Sequence, residues 1–417
     1  MSTAAEHRDR VLRAIDEREL VDFARRMAEI PSQCSIDPEE GVAAHIEARM
    51  KEAGLATELR QVQPHRPNVL GFLRGSGGGP SLMFNGHTDT QPISIDWPYG
   101  HESSIENGVM RCPGIRNRTS GVAAMVMAAV AIARAGVRLR GDLIVAGVMG
   151  HHDGSVGTRQ LISEGLVPDL AIVPEPTDLG VRTIQSGTVN LRIHVRGRSG
   201  PTGSPAVYRK YSNLDNYPVD AIQRAVKVMQ ALETVQWTCA PYPPMPDLPM
   251  YHVAGITGGY GPYCKPLFAP DYCTLVLRVL AVPGQTAESV KADVERTLAA
   301  MRRIDPDLQT EVEVAGKMRL PLQIDNNSYV AQAMRRAHVA VTGQEPVLGA
   351  VLPNSYFGCD AQPLAEAGCQ AISYGPAGHA YYAANRGIVR IDRMVTCARA
   401  LALAALDICG AGREEVR

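Results

Sequence analysis

At 417 residues the chain has room for two or three domains of roughly 150 residues each. Hydrophobic residues at 45% and charged residues at 20% match a globular protein with a sizeable core that needs no disulfides. Lys and Arg total 42 against 43 Asp and Glu, and a net charge of -1 excludes the basic field that nucleic acid or an anionic membrane surface selects. The first twenty residues are charged throughout and lack the apolar core of a secretory signal. The longest apolar stretch, from Gly121, is broken at Arg134 and is too short to span a bilayer. Nine cysteines, an odd number without a CxxC pair, read as reduced cytoplasmic thiols buried as small apolar residues.

In chain order, a helical pattern over 42–53 is followed by strand-length apolar runs at 68–73 and 81–85, separated by the Gly-rich turn GSGGGP (75–80). No helix with Lys-Ser/Thr follows that turn, so it is not a phosphate-binding loop. A helix over 122–135, a strand over 142–149, a helix over 157–164 and a strand over 169–173 continue the alternation, which predicts an α/β layer with a mostly parallel sheet. From about Gln185 the texture changes. Strand patterns at 188–195, 251–256, 273–280 and 310–314 enclose helices at 220–233 and 287–301, the order of a ferredoxin-like α+β domain. Pro-rich stretches at 201–218 and 241–249 read as loops of that domain. The α/β texture returns after Leu320 and ends in a helix over 392–408. The expected organisation is an α/β domain of residues 1–185 and 317–417, interrupted by an α+β insert of residues 186–316.

Polar residues gather where the predicted strands end, at the edge where open α/β sheets place their sites. GHTD supplies His87 and Asp89, GHHDG supplies His151, His152 and Asp153, VPEPT supplies Glu175, and YGPAGHAYY supplies His379, Tyr381 and Tyr382. Any one of these is ordinarily a solvated surface group. Four in one register are expected to line one site.

These motifs, with GHTDTQP (86–92), GSVGTRQLI (154–162), EPT (175–177), GITGG (255–259), VPGQT (282–286), CDAQPLAEAG (359–368) and YGPAG (374–378), give the chain a resemblance over nearly its whole length. It resembles the dinuclear-zinc metallopeptidases that include carboxypeptidase G, acetylornithine deacetylase, succinyl-diaminopimelate desuccinylase and the aminoacylases. The resemblance implies a zinc-binding α/β domain with an inserted lid that dimerises. It implies that His87 and Glu175 hold one metal and that Asp89 orients His87. It also implies substitutions. Asn117 stands for the bridging Asp, His151 for the general-base Glu, His152 and Tyr382 for ligands of the second zinc, and Tyr263 for a lid Asn. The polarising lid His falls near Pro201, Arg386 replaces a Glu, and Arg278 matches the Arg that holds a substrate carboxylate.

Two dications about 3.5 Å apart repel by roughly 19 kcal/mol at an effective dielectric near 20. Neutral Asn117 cannot offset that charge, so the paired zinc site is not expected. A paired site would need an acid near Asn117, and the next one downstream is Asp142. One divalent metal, zinc or iron or manganese, on His87, Glu175 and His152 remains compatible with the sequence. So does no metal at all. His151 accepts a proton near neutral pH and stands in for the lost carboxylate base. A catalytic thiol at Cys112 or Cys359 would need such a base beside it. Tyr382 and Tyr263 double as ring-burying liners, His379 as a solvated loop residue, and Asp153 as a turn residue.

Three functions stay open at this level. The first is a repurposed aminoacylase- or deacetylase-like enzyme with at most one metal, cleaving an amide or related carbonyl of a small carboxylate-bearing substrate. The second is a metal-independent transferase, lyase or cyclase using His151, His152 and Tyr382. The third is a non-catalytic ligand-binding homologue. In each, the protein is expected to be a cytoplasmic homodimer through the insert, with a small-molecule ligand and no nucleic-acid or membrane partner.

Overall fold

The computed structural model describes residues 4–93, 100–200, 217–261, 267–378 and 387–415. Tyr263, His379, Tyr381, Tyr382 and Arg386 lie outside the described residues, as do Pro201 and most of the 202–218 loop. The chain forms two compact units. One comprises Met1–Gln185 and Leu322–Arg417, the other Ser186–Pro321. Among the described residues no helix is long and apolar enough to cross a membrane.

The first unit is built on an eight-stranded sheet. Its centre is parallel: Leu82–His87 pairs in parallel with Leu143–Val148 on one side and with Leu170–Val173 on the other, and Gln370–Ser373 continues the run. Parallel strands covered on both faces need apolar residues at every position, and LIVAGV and LAIV are buried throughout. One margin departs from the predicted parallel arrangement. The Arg66–Leu73 strand is antiparallel both to Ala56–Gln63 and to Leu143–Val148. A two-residue connection, Pro64–His65, joins the first pair, and only antiparallel neighbours can be linked so tightly.

The Ser120–Arg134 helix carries no polar face, and its sequence from Ser120 to Ile132 is buried all round. It packs between the C-terminal helix Ile391–Gly410, the sheet, and the N-terminal helices Ala4–Arg13 and Glu17–Glu29. An apolar stretch of this kind is a core helix, as its length in the sequence indicated. Gly121 lets its first turn touch the segment after Leu170–Val173, since a Cβ there would stand 2.2 Å from the Pro174 carbonyl oxygen. Gly375 does the same from the opposite side, where a Cβ would meet the Glu175 carbonyl oxygen at 2.0 Å. The backbone at Pro174–Glu175 is thus gripped between two glycines.

The second unit is a four-stranded antiparallel sheet with two helices, Ala221–Leu232 and Ala287–Arg302. In chain order its strands are Gly187–Arg196, Met250–Gly258, Tyr272–Ala281 and Gln309–Val314, arranged 2-3-1-4 across the sheet. This is the ferredoxin-like order. Alternate residues Val189, Leu191, Ile193 and Val195 face Leu275, Leu277 and Val279 in one apolar cluster with the helices, the period-2 pattern of a half-covered sheet.

A Gly121→Ala variant is expected to lose about 1–3 kcal/mol of stability, because the added methyl has only backbone to displace. Urea denaturation checks this, and an unchanged midpoint would show that the helix can withdraw from Pro174 without cost.

Candidate active site

The parallel strands put their C-terminal ends side by side, with His87 paired to Val148 and Ser373 to Val173. His87 closes its strand, and His151–His152 and Glu175 follow theirs within a few residues. This is the edge of an open α/β sheet where ligands bind. The loop bearing His151 and His152 is fixed from below by buried Asn68, which accepts from the Met149 amide at 3.0 Å and donates to the Gly157 carbonyl at 2.9 Å. From above it is fixed by Asp89.

Asp89 is wholly buried. Its Oδ1 accepts from the His151 amide at 2.9 Å, and its Oδ2 accepts from the His152 amide at 3.0 Å and from His152 Nδ1 at 2.7 Å. His87 Nδ1 donates to the Asp89 carbonyl at 2.6 Å and stands 3.2 Å from Oδ1. Burial works against the ionised form of Asp89, but the neighbouring His87 and His152 hold its carboxyl well below the usual range. The expected orienting role of Asp89 therefore extends to three imidazoles at once, two through ring or main-chain contacts and one through its amide.

Since Nδ1 of His87 faces an acceptor, its Nε2 carries the lone pair. That atom is buried and has no hydrogen-bond partner. Burial, reinforced by the charge of Arg118, pushes His87 down to about 4, so the ring is neutral at neutral pH. The His151 ring stacks on it, with centroids 4.5 Å apart and planes 9° from parallel. Nδ1 of His151 is 2.9 Å from Asp360 Oδ2. Burial disfavours the charged ring of His151, yet the Asp360 carboxylate outweighs it and raises His151 above its ordinary value. Asp360 is opposed by burial and is lowered by His151 and Arg118.

Arg118 was not among the sequence candidates, and neither was Asp360. Arg118 is 1% exposed. Its Nη1 lies 2.9 Å from Glu175 Oε1 and its Nη2 3.3 Å from Asp360 Oδ2. Proximity to Glu175 is not matched by direction: Nη1, Nε and Glu175 Oε1 all lack an aligned hydrogen bond. Burial opposes the charge on Glu175, but Arg118 and Arg182 keep its carboxyl below the ordinary value. Arg182 is buried as well and is spent on the Asn354 and Phe357 carbonyls and the Ser373 hydroxyl. A signal for Asp360 was present in the CDAQPLAEAG motif. Arg118 had none, because a lone Arg beside Asn117 reads as a surface residue.

Two groups of donors lie within metal-binding reach of one another: His87, His151 and Glu175, and separately His87, Asp89 and His152. The second is a closed hydrogen-bonded set, since Asp89 already accepts from two amides and an imidazole. The first offers two atoms without an aligned hydrogen bond, His87 Nε2 and Glu175 Oε1, the latter beside Arg118. Those residues fit one divalent ion. They do not fit a pair, because Asn117 is uncharged and the cation beside Glu175 is Arg118. The expected placement of His152 with Glu175 is corrected here. His152 is drawn to Asp89, and His151 takes its place beside Glu175.

Asn117 sits in the turn that leads into the Ser120–Arg134 helix, and its Oδ1 is buried and unpartnered. Asp153 is more than a turn residue. It pairs with Arg66 at 2.7 Å, and Arg66 also bonds buried Glu39 at 2.8 Å. Glu39 receives the Thr88 hydroxyl, and burial with the nearby Asp89 charge pushes it up to about 7. Neither thiol is activated. Burial pushes Cys112 up to about 12, and buried Cys359 is also raised and meets the Ser373 hydroxyl at 3.3 Å.

In the second unit Arg278 lies mid-strand, opposite Asn190 and His252. Its side chain is half-buried and makes no ion pair or hydrogen bond among the described residues. Burial and the nearby positive Arg319 both weaken its hold on its proton. Two cations that feel each other, with no counter-ion among the described residues, make an anion-attracting spot.

Residues 83–407 match the peptidase family M20/M25/M40, and the chain belongs to that family. It is 26% identical over 370 residues to the N-formyl-4-amino-5-aminomethyl-2-methylpyrimidine deformylase of Halalkalibacterium halodurans, covering 83% of each chain. It is 24% identical over 387 residues to the acetylornithine deacetylase of Myxococcus xanthus, covering 90% of this chain and 94% of that one. Among solved structures, the di-peptidase Dug1p of Saccharomyces cerevisiae is similar with a TM-score of 0.75 at 13% identity, covering 97% of this chain and 99% of that one. That likeness establishes the fold.

An Asp360→Asn variant is expected to lower the His151 pKa and to cost about 3–5 kcal/mol, since it leaves a buried cation short of a partner. The raised His151 contributes stability that is full below 6.5 and is lost as pH rises through its folded value. The lowered Asp360 contributes stability that is present above 3.8 and is lost on acidification. The stability gap between variant and native protein should therefore be widest near pH 5–6 and narrower at pH 9. Histidine NMR titration with denaturation at the two pH values tests both parts. A gap that does not vary with pH would detach His151 from Asp360.

Proposed function

We propose that the protein is an amide hydrolase that removes a small acyl group from the nitrogen of a carboxylate-bearing substrate, using one divalent metal ion at most. The observation that carries this reading is the convergence of two buried ligand atoms without an aligned hydrogen bond, His87 Nε2 and Glu175 Oε1, beside the His151–Asp360 pair. The deformylase and the deacetylase among its relatives favour an N-acyl substrate over a long peptide.

His87 and Glu175 would hold the ion, leaving His151 Nε2 beside it for proton transfer. When bound, the ion supplies Lewis acidity toward the acyl oxygen. His151 does the proton work. Its Nδ1–H is held by Asp360, so Nε2 faces the reacting atoms. There it takes a proton as the water oxygen bonds the acyl carbon, and returns it to the nitrogen as the C–N bond breaks. Raised above its ordinary value, the ring is a competent donor to the leaving amine. Asp89 keeps His87 in the tautomer that presents Nε2, and holds His151 by its amide. His152, tied to Asp89, acts as a positioning residue with its Nε2 left over for substrate. Asn117 offers its buried Oδ1 to a substrate N–H. On the family resemblance Arg278 is the residue proposed to hold the substrate carboxylate, and its half-buried charge, without a counter-ion among the described residues, suits that role. Tyr382 and Tyr263 remain proposed contributors on the family resemblance.

The second unit is proposed to pair two copies of the chain, supported by exposed Ile256, Leu267 and Phe268. A cytoplasmic setting is proposed from the free thiols among the described cysteines.

The test is a panel of N-formyl and N-acetyl amino acids assayed with zinc, manganese or iron. His151→Ala and Glu175→Gln are each expected to cost about 10²–10⁴ in kcat. Arg278→Ala should mainly raise KM for carboxylate-bearing substrates. The native rate should rise with pH through the raised His151 pKa. Turnover that survives both His151→Ala and Glu175→Gln would refute the assignment, and saturable binding without turnover would favour a ligand-binding role.

A further inference from the structure

We infer that the Arg118 guanidinium is the resident cation of this donor cluster, doing the charge-compensating work of a second metal ion and so holding the chain to one divalent ion. This deepens the one-ion reading above and rests on it.

A fully buried guanidinium is costly unless anions or hydrogen-bond acceptors offset its lost hydration. Arg118 has two, Glu175 and Asp360, delivered by separate loops at the same edge of the sheet. Its position is not accidental to the local chain. It belongs to the tight turn Ile115–Thr119, which starts from Gly114 at φ 75°, where a Cβ would meet Thr90 Cγ2 at 2.4 Å. The turn is therefore locked against the segment that follows His87 and Asp89. Nη1 faces Glu175 and Nη2 faces Asp360, which in turn holds the His151 ring stacked on His87. A single cation thus sits among Glu175, Asp360, His87 and His151, where a pair of dications would otherwise be needed to balance the carboxylates.

The way Arg118 meets Glu175 also matters. Arginine paired to a carboxylate for structural purposes ordinarily forms an aligned two-pronged contact. Here Nη1 is close to Oε1 but misaligned, and Oε1 keeps its hydrogen-bonding capacity. The contact delivers charge without closing the oxygen off. One ion can still reach Oε1 and His87 Nε2. A second would need an anion, yet the turn IRNRT carries no acid and Asn117 is neutral. Asp360 is already shared by Arg118 and His151.

Metal stoichiometry and affinity, measured by equilibrium dialysis with elemental analysis on the full chain, test the inference with zinc and with manganese. The native protein is expected to bind one ion or none. Arg118→Met should bind zinc at least tenfold more tightly, and Arg118→Lys should stay near the native affinity. Asn117→Asp, with Arg118 in place, should gain no second ion, whereas Asn117→Asp combined with Arg118→Met should. In Arg118→Ala, millimolar guanidinium ion should compete with zinc, and it should not do so in the native protein. Should the Arg118 variants misfold, Asn117→Asp decides alone: two ions bound beside an intact Arg118 would overturn the inference. Native protein that already binds two ions would sink both this inference and the one-ion reading. One ion in the native protein, with affinity unchanged in Arg118→Met and Arg118→Ala, would sink this inference only.

Discussion

The site hangs on one buried carboxylate. Asp89 is closed to water, and it converts the lost hydration into bonds with two consecutive amides and with a ring nitrogen of His152, while its own carbonyl fixes His87. An unpaired carboxylate in that position would be costly. The loop after Leu143–Val148 must therefore follow the course that brings His151 and His152 to it. Asn68 enforces the same course from beneath. The stacked His87 and His151 rings, and hence the donor set they form with Glu175, follow from that constraint.

Around this frame the charges are arranged in relay. Glu175 and Asp360 are both buried, and both are kept ionised by Arg118, with His151 as the second partner of Asp360. Arg182, equally buried, is neutralised by carbonyl dipoles and a hydroxyl and takes no part in the relay beyond its field. Further out, Arg66 bridges Glu39 and Asp153 and ties the His151 loop to the segment before the first strands. The result is a buried polar network that leaves His87 Nε2, Glu175 Oε1, Asp360 Oδ1, Asn117 Oδ1 and two Arg118 nitrogens without an aligned hydrogen bond. Of these, His87 Nε2 and Glu175 Oε1 belong to one group of metal-capable donors.

Much of the fold was legible in the sequence because the period of apolar residues is a local property. LIVAGV and LAIV announce covered strands, and the all-apolar run from Gly121 announces a core helix. The ferredoxin-like order of the second unit followed from strands of period 2 flanking helices of period 3.6. The antiparallel margin at Arg66–Leu73 was not legible, because a fully buried strand reads alike whichever way its neighbours run. Within the site, the motifs identified His87, Asp89, His151 and Glu175. They grouped His152 with Glu175, because sequence does not say which of two adjacent histidines turns its ring nitrogen to Asp89.

The sequence by itself determined which residue types stand at the ends of the strands, and it determined that Asn117 is neutral where the family resemblance calls for an acid. Those are properties of composition and order. Only the tertiary structure decided how the charge is made good. Arg118 and Asp360 are 242 positions apart, and nothing in either local segment indicates that the two are buried against one another. A salt bridge within the core arises from the closure of the sheet and the grip of Gly121 and Gly375 on the Glu175 backbone, and long-range closure of that kind leaves no periodic trace in the chain.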